Sequence, residues 1–341
     1  MRSDLRPGRT MPRLLTAGAL TAVLATAGCG GDPAPEQPAA PAPQGSSAAA
    51  PEVVSGKPLI TEAEVTALVS RITDDNNKAN AAQDPKLLDK YEVEASRATD
   101  GPSLATHSGG PIKPFTYEPQ GSRVPSDTGG AKWFVADTQT PDGDNWPLIM
   151  TADGPGWKLA HAVPLQVTLP ESKKDAAGNA EVVAADDPGR TLIASPADVA
   201  KAHAASIASE GAPSGLFAGD TATGEAVRKD DVLAVIKFTS GGRKVPGKNL
   251  KVAAKVEPYP VRALRTADGG ALVAYTTRTD FSGELPGAKP AVKVSFLRLG
   301  RPGVGKLTLS TLHMWWVLVP AKGAGETVTV LGGTNQLVKL S

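Results

Sequence analysis

The chain has 341 residues, enough for two domains of ordinary size once processed ends are set aside. Hydrophobic residues at 40% and charged residues at 21% can bury a core, which excludes disorder throughout. Lys and Arg number 36 against 35 Asp and Glu, and a balance of +1 lacks the excess positive field that condenses on phosphates, so nucleic acid is not expected as a partner.

Residues 1–28 read as a lipoprotein signal peptide. Arg9 and Arg13 supply a positive n-region, and Leu14 to Ala27 form an apolar run without acidic residues, too short to span a bilayer comfortably. Small residues Ala27 and Gly28 precede Cys29, the only cysteine, as a lipobox requires; Thr26 stands where that pattern prefers Leu. Cleavage before Cys29 and attachment of diacylglycerol to its thiol are expected, which places the chain on the outer face of the cytoplasmic membrane. Met11 is a second candidate start, since the segment from there is already a complete signal. With Cys29 lipidated, no thiol remains for disulfides or metal. Residues 29–58 read as a tether: from Gly30 to Ser55 the chain is rich in Pro, Ala, Gly and Ser, without hydrophobic period, and would span on the order of 30 Å as a coil.

Folded structure is expected from residue 59. Thr61-Glu62-Ala63-Glu64 makes a capping box, followed by Val65, Leu68, Val69 and Ile72 at helical spacing. Asp84 and Pro85 open a second helix carrying Leu87, Leu88 and Tyr91. Lys132 to Thr138, Trp146 to Thr151 and Trp157 to Val163 then read as strands, separated by turns at 141–144 and 153–156, and such short loops imply an antiparallel meander. A polar stretch from 171 to 190 reads as a linker between a first domain, 59–170, and a second, 191–341. Ser195-Pro196-Ala197-Asp198 caps a helix with Val199, Ala202, His203 and Ile207. Strands are expected at Ala271 to Phe281, Ala291 to Arg298, Leu307 to Val319 and Thr327 to Leu331. Gly129-Gly130-Ala131 leading to Val135 matches Gly269-Gly270-Ala271 leading to Val273, and Pro114-Phe115 matches Pro258-Tyr259, a repeat of about 140 residues. The fold class expected is α+β, two similar domains, each a curved antiparallel sheet packed against N-terminal helices.

That order behind a lipobox resembles actinomycete, Streptomyces-type surface lipoproteins with tandem domains similar to nuclear transport factor 2 and cystatin. The segments Ser195 to His203 and Ala263 to Tyr275 carry the resemblance, which extends over Leu59 to Ser341. It implies a fold and a location and transfers no catalytic residue.

Motifs for chemistry fall short of their requirements. Gly242 to Lys248 and Gly300 to Lys306 imitate phosphate-binding loops, but Asn249 and Leu307 stand where a magnesium-binding hydroxyl belongs, and each opens toward strand-like residues; no nucleotide is expected. Ser214, between Gly211 and Gly215, follows a helix, whereas a nucleophile elbow lies between strand and helix. His107, His161, His203 and His313 lack metal-ligand spacing, and the Asp137, Asp142, Asp144, Asp153 group lacks calcium-loop spacing. No catalytic residue, metal or cofactor is assigned.

Strand parity yields one candidate pocket. Trp157, Leu159, His161 and Val163 share one face, as do Leu309, Thr311, His313, Trp315 and Val317. Each half thus turns a histidine toward its bulky residues, and Trp157, His161, His313 and Trp315 are the candidate ligand residues on a concave sheet face. Leu312, Met314, Trp316 and Leu318 form a second apolar face on the same strand, which implies packing between the domains or against an envelope protein. The expected function is a non-enzymatic binding or scaffold module of the cell envelope. The alternatives are a carrier of a small hydrophobic ligand in a sheet-face pocket and a divergent enzyme, the latter needing a carboxylate beside His161 or His313.

Overall fold

The computed structural model describes residues 56–107, 110–127, 130–209, 215–217, 248–284, 292–293, 300–301 and 306–340. The expected signal, Cys29, the expected tether as far as Ser55, Ser214 and most of both Gly/Lys loops lie outside them.

Helix α1, Glu62–Ala82, starts where its capping box places it: Thr61 Oγ1 accepts from the Glu64 amide at 3.3 Å, and Glu64 Oε2 accepts from the Thr61 amide at 2.9 Å. Asp84 and Pro85 open a six-residue 3-10 turn, Pro85–Lys90, in place of a full helix. Helix α2, Glu94–Thr106, has no counterpart in the sequence reading, because Asp100-Gly101-Pro102 within it carries turn chemistry and Leu104 is its only large aliphatic residue. Strands β1, Glu118–Arg123, β2, Trp133–Gln139, β3, Leu148–Asp153, and β4, Gly156–Ala162, form an antiparallel meander in that spatial order. Beneath it, Val65, Leu68, Val69 and Ile72 of α1 pack against Phe134, Leu148, Met150 and Leu159.

In the second half, α3, Pro196–Ala208, is capped by Ser195, whose Oγ accepts from the Asp198 amide at 3.2 Å. Strands β5, Lys248–Val256, β6, Arg262–Arg265, and β7, Ala271–Glu284, follow, with β5 and β6 pairing successive parts of β7. A two-residue pair, β8, Val292–Lys293, and β9, Gly300–Arg301, is all that the described residues hold of the strand expected over Ala291 to Arg298. Strands β10, Lys306–Val319, and β11, Thr329–Leu340, complete the sheet, whose order β5-β7-β10-β11 is again a meander. Val199 and Ile207 of α3 pack on Val273, Tyr275, Trp315 and Val317. The architecture is α+β, with an antiparallel sheet and preceding helices in each half.

Strand β11 runs on through Gly332-Gly333, past the Leu331 end expected from the sequence. A Cβ on Gly332 would collide with Leu165, and one on Gly333 with the Trp315 ring, so these glycines permit close approach and do not make a turn. The 171–190 segment lies along β6: the Val183 amide donates to Ala263 O at 3.0 Å, and the Arg265 amide to Glu181 O at 2.8 Å.

The second apolar face of β10 is occupied from within the chain. Met314 and Trp316 pack with Leu264, Leu272 and Ala274 of their own sheet and with Trp133, Val135 and Ile149 of the first sheet. With Trp315 and Val317 facing α3, β10 is buried on both sides, which accounts for its nearly unbroken apolar run. One bidentate ion pair crosses between the halves: Arg262 Nη1 and Nη2 donate to Glu94 at 2.7 and 2.8 Å.

Candidate functional site

Parity is interrupted on β4. His161 pairs with Ile149 and Leu159 with Met150, so one extra residue, Ala160, forms a bulge between them. Trp157 and Leu159 accordingly stay on the helix side, where Trp157 meets Phe134 edge-on at 4.9 Å, whereas His161 and Val163 turn to the inter-sheet core. His161 lies edge-on to Trp316 at 5.8 Å and is 3% exposed. Burial first, and Arg262 second, push its pKa down to about 3. The expected shared face of Trp157 and His161 is thus corrected, since a single inserted residue exchanges the faces beyond it.

On β10 parity is kept. His313 faces the α3 side, stacks on Trp315 at 5.5 Å, and its Nε2 lies 2.9 Å from Thr311 Oγ1. Burial lowers its pKa to about 4. Trp315 Nε1 donates to Thr277 Oγ1 at 2.8 Å, and Trp315 packs on His203 of α3, which is 2.7 Å from Tyr275 Oη. Trp157, His161, His313 and Trp315 are therefore divided among three packing environments. The His203-Tyr275 contact has no local signature, because 72 residues separate the pair.

A cleft of about 270 Å³ instead opens on the helix side of the first sheet, just under the usual range of small-molecule sites, about 300–1,000 Å³. Its floor is set by the residues entering α2. The Val93 amide donates to Leu159 O at 2.9 Å and the Leu159 amide to Tyr91 O at 2.7 Å, so residues 91–93 run as a short parallel edge on β4 and hold Glu92 beneath the sheet. Ser96 and Asp100 follow on α2 and line the same space. The wall opposite is the 112–117 segment, held to α1 by reciprocal bonds of 2.8 Å between Asn77 and the Phe115 backbone, and by the Tyr117 amide on Thr73 Oγ1 at 3.3 Å. Phe115, Tyr117 and Trp146 meet pairwise edge-to-face at 4.8, 5.3 and 6.0 Å, and all three rings line the cleft. Met314, Thr334 and Gln336 of the second sheet close one side.

Glu92 is 2% exposed, its Oε2 has no hydrogen-bond partner, and neither has the buried Ser96 Oγ. Burial first, and then the charge of Asp100 beside it, push the Glu92 pKa up to about 10. Packing about its carboxyl raises Asp100 as well, although the residue as a whole is exposed. At neutral pH the pair therefore retains a proton. Such orphaned, perturbed groups in a concavity mark a candidate site. A larger, more open groove of about 810 Å³ lies around Arg123, whose guanidinium is already bound by Asp137 at 2.9 Å and Ser172 at 3.1 Å. Among the described residues no group of three or more His, Cys, Asp or Glu could hold a metal ion.

Residues 56–341 match the family described as a domain of unknown function, DUF8094. The chain belongs to that family. It is 30% identical over 296 residues to an uncharacterized lipoprotein of Streptomyces avermitilis, covering 79% of this chain and 82% of the relative. Two uncharacterized lipoproteins of Streptomyces coelicolor are each 29% identical, one covering 82% of this chain and 80% of the relative, the other 65% and 67%. No solved structure matches. The DUF8094 match takes in both sheets and every residue of the cleft. No described helix is long and apolar enough to cross a membrane.

Proposed function

We propose that this DUF8094 chain is a lipid-anchored binding module of the cell envelope, held by Cys29 on the outer face of the cytoplasmic membrane, that takes a small ligand into the cleft over Glu92 without transforming it. The observation that carries this reading is the pair of buried, unpartnered oxygens, Glu92 Oε2 and Ser96 Oγ, facing a cavity with aromatic walls. Orphaned acceptors cost about 1–3 kcal/mol each, and a ligand supplying donors would recover that energy. Lipid anchoring draws support from the lipobox-like Ala27-Gly28-Cys29 and from the Streptomyces relatives, which are described as lipoproteins. The two meanders, each preceded by a helix, support descent from one duplicated unit similar to nuclear transport factor 2, with the boundary inside 171–190.

Thermal unfolding of the full mature chain in detergent, screened against small organic molecules of the envelope, tests the cleft. A stabilising compound should lose its effect in Ile112→Trp, which fills the rim. Equal stabilisation of wild type and variant would refute the assignment. The raised Glu92 carboxyl also favours a second reading, an acid–base enzyme, for which Glu92→Gln would retain binding and lose turnover.

A further inference from the structure

The chemistry of the cleft narrows the ligand class, on the premise that the cleft is a binding site. We infer that it takes a small, freely diffusing organic amine as its cation, the ammonium seated on Glu92 and Asp100 and the carbon skeleton against Phe115, Tyr117 and Trp146.

Three observations converge. Two carboxyl groups, Glu92 and Asp100, line the cleft, in which Lys113, exposed at the rim, is the one lining cation among the described residues. Arg97, the nearby guanidinium on α2, is bound through Nε to Asp89 at 2.5 Å. An anionic ligand would meet two carboxyl groups with only Lys113 at the rim and the committed Arg97 to offset them; an ammonium would meet two groups of opposite sign. Next, Glu92 Oε2 and Ser96 Oγ are buried and lack partners, and an ammonium brings three donors, enough for both and for one Asp100 oxygen. Finally, Phe115, Tyr117 and Trp146 stand at interplanar angles of 74°, 71° and 64° to one another, three differently oriented walls of the kind that accepts a cation at ring faces. A cavity of about 270 Å³ suits a small amine and is too small for a folded segment of protein.

The groups that face the acid pair are Tyr91 just after the 3-10 turn, Arg97 of α2, and Lys113 and Tyr117 from the 112–117 wall; β10 and β11 contribute uncharged Met314, Thr334 and Gln336. Bound ammonium favours the carboxylate, so the proton held by the free pair leaves when the amine enters. Affinity should therefore rise with pH from about 6 to 8, by up to tenfold per unit.

Titration calorimetry on the full mature chain in detergent uses n-butylammonium, with 1-butanol and butyrate as uncharged and anionic counterparts. Expected are saturable binding of n-butylammonium with proton release, at least tenfold weaker binding of both counterparts, and at least tenfold loss with disappearance of the pH dependence in Glu92→Gln. Thermal unfolding of that variant confirms folding, and Trp146→Leu supplies an independent test of the aromatic wall, with a loss of about tenfold expected. Preference for 1-butanol, abolished by Ile112→Trp, would overturn the cation while leaving the cleft as a site. Binding of n-butylammonium indifferent to Glu92→Gln and to pH, or no binding of any probe, would overturn the inference.

Discussion

His161 offers the sharpest physical test of the fold. In the folded chain burial and Arg262 hold the imidazole neutral down to about pH 3, whereas the unfolded residue titrates near 6.5. Between these values the unfolded state binds one more proton than the folded state, so the stability supplied by His161 is lost as pH falls, by about 1.4 kcal/mol per unit. Above 6.5 the group is neutral in both states and contributes no slope. Replacement by Phe keeps an aromatic ring beside Trp316 and gives up at most one weak contact between the imidazole and the Tyr275 backbone. His161→Phe should then lie within about 1 kcal/mol of wild type at about pH 7.5. By about pH 4.5 it should be more stable than wild type by roughly 2 to 3 kcal/mol relative to that starting point. Glu92 acts in the opposite sense, since a folded pKa raised to about 10 gives stability below the unfolded value of 4.5 that is lost as pH rises. It is present in both proteins and cancels in the difference. Urea unfolding followed by tryptophan fluorescence and circular dichroism at about pH 4.5, 5.5, 6.5 and 7.5 measures the quantity. Parallel curves, with a constant difference at every pH, would mean that His161 titrates normally in the fold and would refute its place in the inter-sheet core.

Trp316→Ala should cost about 3–5 kcal/mol by opening a cavity between the sheets, read as a fall in the urea midpoint; a loss under about 1 kcal/mol would mean that the two sheets do not share that core. Arg262→Ala should destabilise by about 2–3 kcal/mol, because it leaves Glu94 half-desolvated, and a double-mutant cycle with Glu94→Gln should return a coupling above about 1 kcal/mol. Gly333→Ala, normally a mild change in a strand, should cost about 1–3 kcal/mol here because its methyl meets the Trp315 ring; paired Gly333→Ala and Trp315→Leu should recover part of the loss in thermal unfolding. Cys29→Ser should move the chain from the membrane fraction to the soluble fraction, and unchanged membrane association would refute the anchor.

Much was legible from the residues because local physics acts over a few positions. The capping box at Thr61 and Ser195 with Pro196 each satisfy helix N-terminal amides within three residues, and both helices begin there. The apolar runs of β2, β7 and β10, bounded by Gly- and Pro-bearing turns, identify themselves in the same way, and two apolar faces on β10 require burial on both sides whatever covers them. The tertiary structure decided what was non-local. Only strand pairing with β3 reveals the bulge at Ala160 that sends His161 away from Trp157, since register is set by a partner strand and not by the strand itself. Helix α2 forms across Asp100-Gly101-Pro102 because packing outweighs turn propensity there, and with it Glu92 and Asp100 come to face one cavity with a ring, Trp146, that lies 46 to 54 positions along the chain. A buried carboxyl with a free oxygen cannot be read from sequence at all: Glu92 looks like any surface glutamate until the edge pairing of residues 91–93 with Leu159 removes it from water.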